Sequence, residues 1–169
     1  MIFDLIMWAA AIYWIIAIAL LFVSVAATIF QPLIAARRAT RRDQPAVSIV
    51  LPVKLLEKEF DRTQESALTQ RYRDFDVTVS ATDLDAPAVQ RMRAIFARHP
   101  AVPSRILLST AKFAVSPKVD NLYAPFMQAA EDVIFMKDAN VLLEPDALAQ
   151  HMRNLTDDVG LVCAIPYCA

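Results

Sequence analysis

From Leu5 to Ala36 no position carries a charge, and Leu5 to Phe30 is almost wholly apolar. A run of that length is enough to cross a hydrocarbon core of about 30 Å as a helix. It therefore predicts a transmembrane anchor over residues 1–36. A cleavable signal peptide is the competing reading, but the segment carries Asp4 where a basic n-region belongs. Its apolar stretch also exceeds the roughly 7–15 residues of a signal-peptide h-region.

Beyond the anchor the pattern changes to short apolar runs separated by amphipathic ones. Val47 to Val53 is β-branched and continuous, which predicts a strand buried on both faces, and Pro52 and Lys54 mark its exit. Glu57 to Gln70 turns helical, with Phe60, Ala67 and Leu68 on one side. Phe75 to Ala81 alternates as a strand, and a helix is expected from about Pro87, with Val89, Met92, Ile95 and Phe96 at helical spacing. Arg105 to Leu108 reads as a third strand, Lys118 to Ala130 as a helix and Val133 to Lys137 as the next strand. A helix from Pro145 to Asn154 and a final apolar strand, Leu161 to Ile165, complete the pattern. Strand and helix in alternation predict an α/β fold, a largely parallel sheet flanked by helices.

Charge places this domain relative to the membrane. Arg37, Arg38, Arg41 and Arg42 follow the anchor directly, in a basic linker over residues 37–46, and basic residues beside a span mark its cytoplasmic side. The expected arrangement is a single-pass N-terminal anchor with residues 47–169 in the cytoplasm. The net charge of −1 gives no support to nucleic-acid binding. Gly160 is the only glycine, so the glycine-rich loops that cradle nucleotides in P-loop and dinucleotide-binding proteins are excluded. Cys163 and Cys168 read as small apolar residues near the last strand, and with no partner pair they make a poor metal site. His99 and His151 stand alone on helices.

The candidate chemistry sits at strand exits, because open α/β sheets place ligands at the carboxyl ends of their strands. Asp83 and Asp85 follow the second strand, and Asp138 with Asn140 follows the fourth. All but Asp83, which is harder to explain as a cap, have a plain structural alternative: Asp85 as the cap before Pro87, and Asp138 or Asn140 as a cap or turn residue before the Pro145 helix. Carboxylates converging there could hold a base or ribose and a divalent cation on a diphosphate. A metal-dependent phosphatase or a receiver-type acidic pocket would use similar groups.

Five segments, in order, resemble the family-2 glycosyltransferases and most closely the glucosylceramide synthases, including bacterial members. They are Val47 to Lys54, Asp83 to Ala88, Ser116 to Leu122, Asp138 to Val141, and Val159 to Tyr167. The resemblance implies a GT-A-like (Rossmann-like) fold behind a membrane anchor. It also implies transfer of glucose from UDP-glucose to ceramide or a similar lipid hydroxyl, with inversion. Asp83, with Asp85, matches the family's uridine-contacting acid, Lys118 and Asn121 match its donor-pocket segment, and Asp138 with Asn140 matches its metal site, for Mg2+ or Mn2+. The implied partners are a UDP-sugar donor, a ceramide-like lipid acceptor and the membrane.

Departures accompany the resemblance. Leu55 stands where the family often has Gly, Ala86 replaces an Asp, Ser116 and Asp120 replace Asn, and Asn140 replaces a second metal-site Asp. The family's catalytic-base Asp and its Gln-x-x-Arg-Trp motif are expected beyond Ala169, so the chain reads as a truncated donor-binding part. The alternatives are a hopanoid-linked glycosyltransferase and a non-catalytic remnant that binds only nucleotide or a membrane partner.

Overall fold

The computed structural model describes residues 2–35, 40–41 and 43–164. The chain forms two compact units, Met1–Ala39 and Thr40–Ala169. Within the first, α1 runs from Ile2 to Ala35. Its apolar stretch Phe3–Gln31 is 29 residues long and wholly unburied by protein. At 1.5 Å per residue such a helix is about 44 Å long, ample for a bilayer. Its hydroxyls need no water: Ser24 donates to the carbonyl of Leu20 at 2.8 Å and Thr28 to that of Ser24 at 2.9 Å. Of the basic cluster after the anchor, Arg37, Arg38 and Arg42 lie outside the described residues.

The second unit is built on a four-stranded sheet of β1 (Val47–Pro52), β2 (Phe75–Ala81), β3 (Ser104–Leu108) and β4 (Val133–Met136). The order is β3-β2-β1-β4 and every pair is parallel. Val47, Ile49 and Leu51 of β1 and Val77 and Val79 of β2 face one core, which α2 (Phe60–Leu68), α3 (Pro87–Arg98) and α5 (Ala147–Asn154) close with Phe60, Leu68, Met92, Ile95, Leu148 and Met152. The opposite face carries Ser48, Val50, Thr78 and Ser80, all fully buried. There α4 (Pro117–Met127) packs against β1 and β2 and buries Asn121 and Pro125.

This two-sided arrangement follows from handedness. Parallel strands are joined almost without exception by right-handed crossovers. The chain steps outward from β1 through β2 to β3, then returns across both to place β4 on the far side of β1. A connection running in that reversed direction keeps its hand only by lying on the other face, which is where α4 lies. The reversal makes the carboxyl edge beside β1 and β4 a topological switch point.

The predicted strands β1 to β4 form as read, and β1 is buried on both faces. The helices expected over Glu57 to Gln70 and Lys118 to Ala130 are shorter, at Phe60–Leu68 and Pro117–Met127, and two further expectations change. The helix from Pro145 begins at Ala147, because the carbonyls of Glu144 and Pro145 accept from Gln70 Nε2 and Arg71 N and hold that segment against the turn before β2. Leu161 to Ala164 form no strand: Leu161 is 72% exposed, and an apolar run becomes a strand only with a ladder partner, which it lacks among the described residues. Cys163 is accordingly exposed, not packed near a strand, while Ile165, Pro166, Tyr167 and Cys168 lie outside the described residues.

Candidate functional site

Two strand exits deliver carboxylates to one edge. β2 ends at Ala81, and Asp83 lies exposed just beyond it. Its Oδ1 accepts the backbone N–H of Asp85 at 2.9 Å, so the first acid shapes the turn that presents the second. Neither caps α3, whose cap residue is Ala86 with no side-chain hydrogen bond. The alternative reading of Asp85 as the cap before Pro87 is therefore not what the structure shows.

At β4 the ladder continues one residue past the strand, Lys137 N donating to Val50 O at 3.0 Å, and Asp138 is the first residue clear of the sheet. Its carbonyl accepts Val141 N at 3.2 Å and Lys137 Nζ at 3.2 Å. Asn140 lies exposed in the same turn. The helix that Asp138 or Asn140 was a candidate to cap starts after Asp146 instead. The side chain of Asp138 is engaged elsewhere: its Oδ1 accepts Lys118 Nζ.

Lys118 arrives from α4, which enters the edge through Pro117 at its first turn. One turn on, Asn121 is buried and its Oδ1 finds no hydrogen-bond donor among the described residues. Such an atom is uncommon enough in a folded protein to call for a partner. The connection ahead of α4 is organised by Asp120, whose Oδ1 accepts Phe113 N at 3.0 Å and Ala114 N at 2.9 Å, while Ser109 Oγ donates to its carbonyl at 2.6 Å.

The structure thus brings Lys118 and Asp138 into contact and sets Asn140 in the same turn. It keeps Asp83 and Asp85 apart from them: β1 stands between β2 and β4, so the two exits lie about two strand spacings, roughly 10 Å, from each other. The carboxylates stand apart along the sheet edge instead of converging on one point. Two contributors were not expected. Lys137 is only 3% exposed, and burial pushes its ammonium down to about 8 against the pull of Asp138. Gln64 of α2 donates to Ala139 O at 2.6 Å and fixes the turn after Asp138. A signal for Gln64 existed, since it falls four residues after Phe60 on the buried stripe of α2. None existed for Lys137, which reads as a polar strand end.

No three His, Cys, Asp or Glu side chains gather as a cation-binding set among the described residues. That does not argue against a hard cation such as Mg2+, which is commonly held by one or two carboxylates with substrate phosphates completing its shell. Asp138 and Asn140 offer oxygen donors of the suitable kind, and Asp138 already carries a cation, the ammonium of Lys118. The donor set fits.

Known proteins resemble this chain in sequence and in fold. Ceramide glucosyltransferase 1 of Caenorhabditis elegans is 23% identical over 126 residues, 73% of this chain and 27% of that protein. Ceramide glucosyltransferase of Komagataella phaffii is 26% identical over 113 residues, 64% of this chain and 22% of that protein. The chain spans about a quarter of the length of these curated relatives. The solved mannosyltransferase PcManGT from Pyrobaculum calidifontis, in complex with GDP-Man and Mn2+, superposes with a TM-score of 0.60 at 17% identity, over 80% of this chain and 43% of that one. It shares the fold, a GT-A-like parallel sheet flanked by helices. With residues 9–169 matching the profile of Glycosyl transferase family 21, across the strand exits and α4 alike, the chain belongs to that family.

Proposed function

We propose that residues 47–169 bind the nucleoside diphosphate of UDP-glucose at the carboxyl edge of the sheet. They would act as the donor-binding part of a membrane-anchored enzyme that transfers glucose to ceramide or a similar lipid hydroxyl. One observation carries the reading: Asp83 and Asp138 leave β2 and β4 on either side of β1 at the switch point. Membership of the family and the names of the curated relatives support the choice of sugar and acceptor.

In this reading Asp83 and Asp85 accept hydrogen bonds from the uridine. Asn121, with its unpartnered buried oxygen, lines the donor pocket beside Lys118. Asp138 and Asn140 would hold Mg2+ or Mn2+, which would neutralise charge on the departing diphosphate. Lys118 contributes a further positive charge there. The acceptor oxygen forms a bond to the anomeric carbon as the bond from that carbon to the diphosphate oxygen breaks, inverting the centre and releasing UDP. No residue of this chain is assigned as the base that takes the hydroxyl proton. The arginines from Arg37 to Arg42 orient α1 with its amino terminus outward and the domain in the cytoplasm.

Calorimetry of the detergent-solubilised chain with UDP and Mn2+, with GDP as control, tests the donor site. UDP is expected to bind, and Asp83→Ala to weaken it about tenfold or more, the worth of a charge-assisted hydrogen bond. Absence of heat with UDP, or an Asp83→Ala variant equal to the parent, ends the reading. Transfer from labelled UDP-glucose to ceramide in membranes carrying the protein tests the acceptor separately.

A further inference from the structure

Asp138 is touched by two ammonium groups of different character. Lys137 is buried and donates to its main-chain oxygen at 3.2 Å. Lys118 reaches its carboxylate from another element, and both partners of that ion pair have side chains 52% exposed. The first lysine is fixed by packing, and the second is held, among the described residues, by the one contact at the end of a long, solvated side chain. Among the described ion pairs, this one joins the first turn of α4 to the exit of β4; those of Arg91 and Arg98 tie α2 to α3 instead.

An ammonium and a divalent cation are alternatives on the same carboxylate oxygen, and an ammonium is equally a partner for phosphate oxygens. We propose that Lys118 is a displaceable internal cation of the donor site. Without donor it occupies Asp138. When the diphosphate binds, Lys118 transfers its contact to a phosphate oxygen and releases Asp138 to the divalent cation. No covalent bond changes; one ion pair is exchanged for two.

The consequence is regulation of cation binding by nucleotide. In the empty site a divalent ion must break the Lys118 contact and endure the nearby positive charge. With diphosphate present both cations have anionic partners. Linkage then requires the nucleotide and the cation to tighten each other by the same factor. The proposal rests on the donor-site reading above, and its test separates the two.

Free Mn2+, read by its electron paramagnetic resonance signal, is titrated with the full chain in micelles, with and without UDP. The parent, Lys118→Met, Lys118→Gln, Lys118→Arg and Asp138→Asn are compared, and thermal unfolding checks that each is folded. Both neutral variants are expected to bind Mn2+ about two- to fivefold tighter than the parent without UDP, the scale of an exposed ion pair. They are also expected to lose much of the tightening that UDP gives the parent, while Lys118→Arg retains it. If the neutral variants bind Mn2+ no better than the parent without UDP, while Asp138→Asn abolishes binding, Lys118 is a passive surface contact and the proposal is overturned. If Asp138→Asn leaves Mn2+ binding unchanged, or UDP does not bind the parent, the donor-site reading fails and takes the proposal with it.

Discussion

Gln64 Nε2 donates to the carbonyl oxygen of Ala139 at 2.6 Å, tying the middle of α2 to the turn that follows Asp138. Gln64 is 1% exposed and Ala139 half-buried, so the bond is partly shielded from water. Replacing it with Leu keeps the volume and leaves the Ala139 carbonyl without its donor, at a cost of about 1–3 kcal/mol. Chemical denaturation is expected to show that loss in Gln64→Leu. Because the turn also carries Asp138 and Asn140, Mn2+ affinity in the presence of UDP is expected to fall as well. A variant that loses stability but keeps full cation affinity would confine Gln64 to the scaffold.

Ser48 joins three segments on the polar face of the sheet. Its hydroxyl donates to Asp76 Oδ1 at 2.5 Å on β2 and accepts the backbone N–H groups of Ala130 and Glu131, each at 3.1 Å, ahead of β4. Ser48→Ala removes all three bonds beneath a fully buried position and is expected to cost about 2 kcal/mol. Hydrogen exchange is expected to speed up at Glu131 and along β4 more than along β3. Uniform acceleration would mean that Ser48 supports the whole domain and not the β4 edge.

Asp61 accepts from Arg91 through both carboxylate oxygens, at 2.7 and 2.6 Å, and joins α2 to α3. The Arg91 hydrogen bonds hold the Asp61 carboxyl below its usual value of 3.8, against a smaller opposing effect of burial. A carboxyl lowered in the folded state stabilises the fold above its unfolded value, and that contribution is lost as pH falls through the folded one. The stability difference between the parent and Asp61→Asn is therefore expected to be constant from about pH 5 to 7 and to shrink below pH 3.8. Thermal unfolding across that range checks it, and a difference that grows toward acid would contradict the assignment.

Lys137 is a buried ammonium beside the candidate site, with its affinity for protons reduced by burial to about 8. Keeping it charged at neutral pH costs the folded state free energy that an apolar side chain of similar length does not. Lys137→Met is expected to be more stable at pH 7 by about 1–3 kcal/mol in urea unfolding. A gain identifies Lys137 as a group kept at the sheet edge at the expense of stability. A loss would show that its bond to the Asp138 carbonyl outweighs its burial.

The sequence alone determined the features whose causes lie within a few residues. An uncharged apolar run of that length has no stable place in water, so α1 was legible as a span candidate. The β-branched runs at Val47 and Phe75, and the helical spacing of Val89, Met92 and Ile95, set strand and helix wherever they stood. The placement of Asp83 and Asp138 just past strands was legible for the same reason.

What the tertiary structure decided are relations between residues far apart in the chain. Strand order put β1 between the two acidic exits, and crossover handedness put α4 on the polar face. Only that placement brings Lys118 to Asp138, twenty residues on, and only the packing of α2 brings Gln64 to Ala139, seventy-five residues on. The same logic runs in reverse for Leu161 to Ala164, where the strand-forming pattern is present and no ladder forms. Propensity acts along the chain, whereas a ladder, an ion pair or a buried charge exists only once folding has chosen the neighbour.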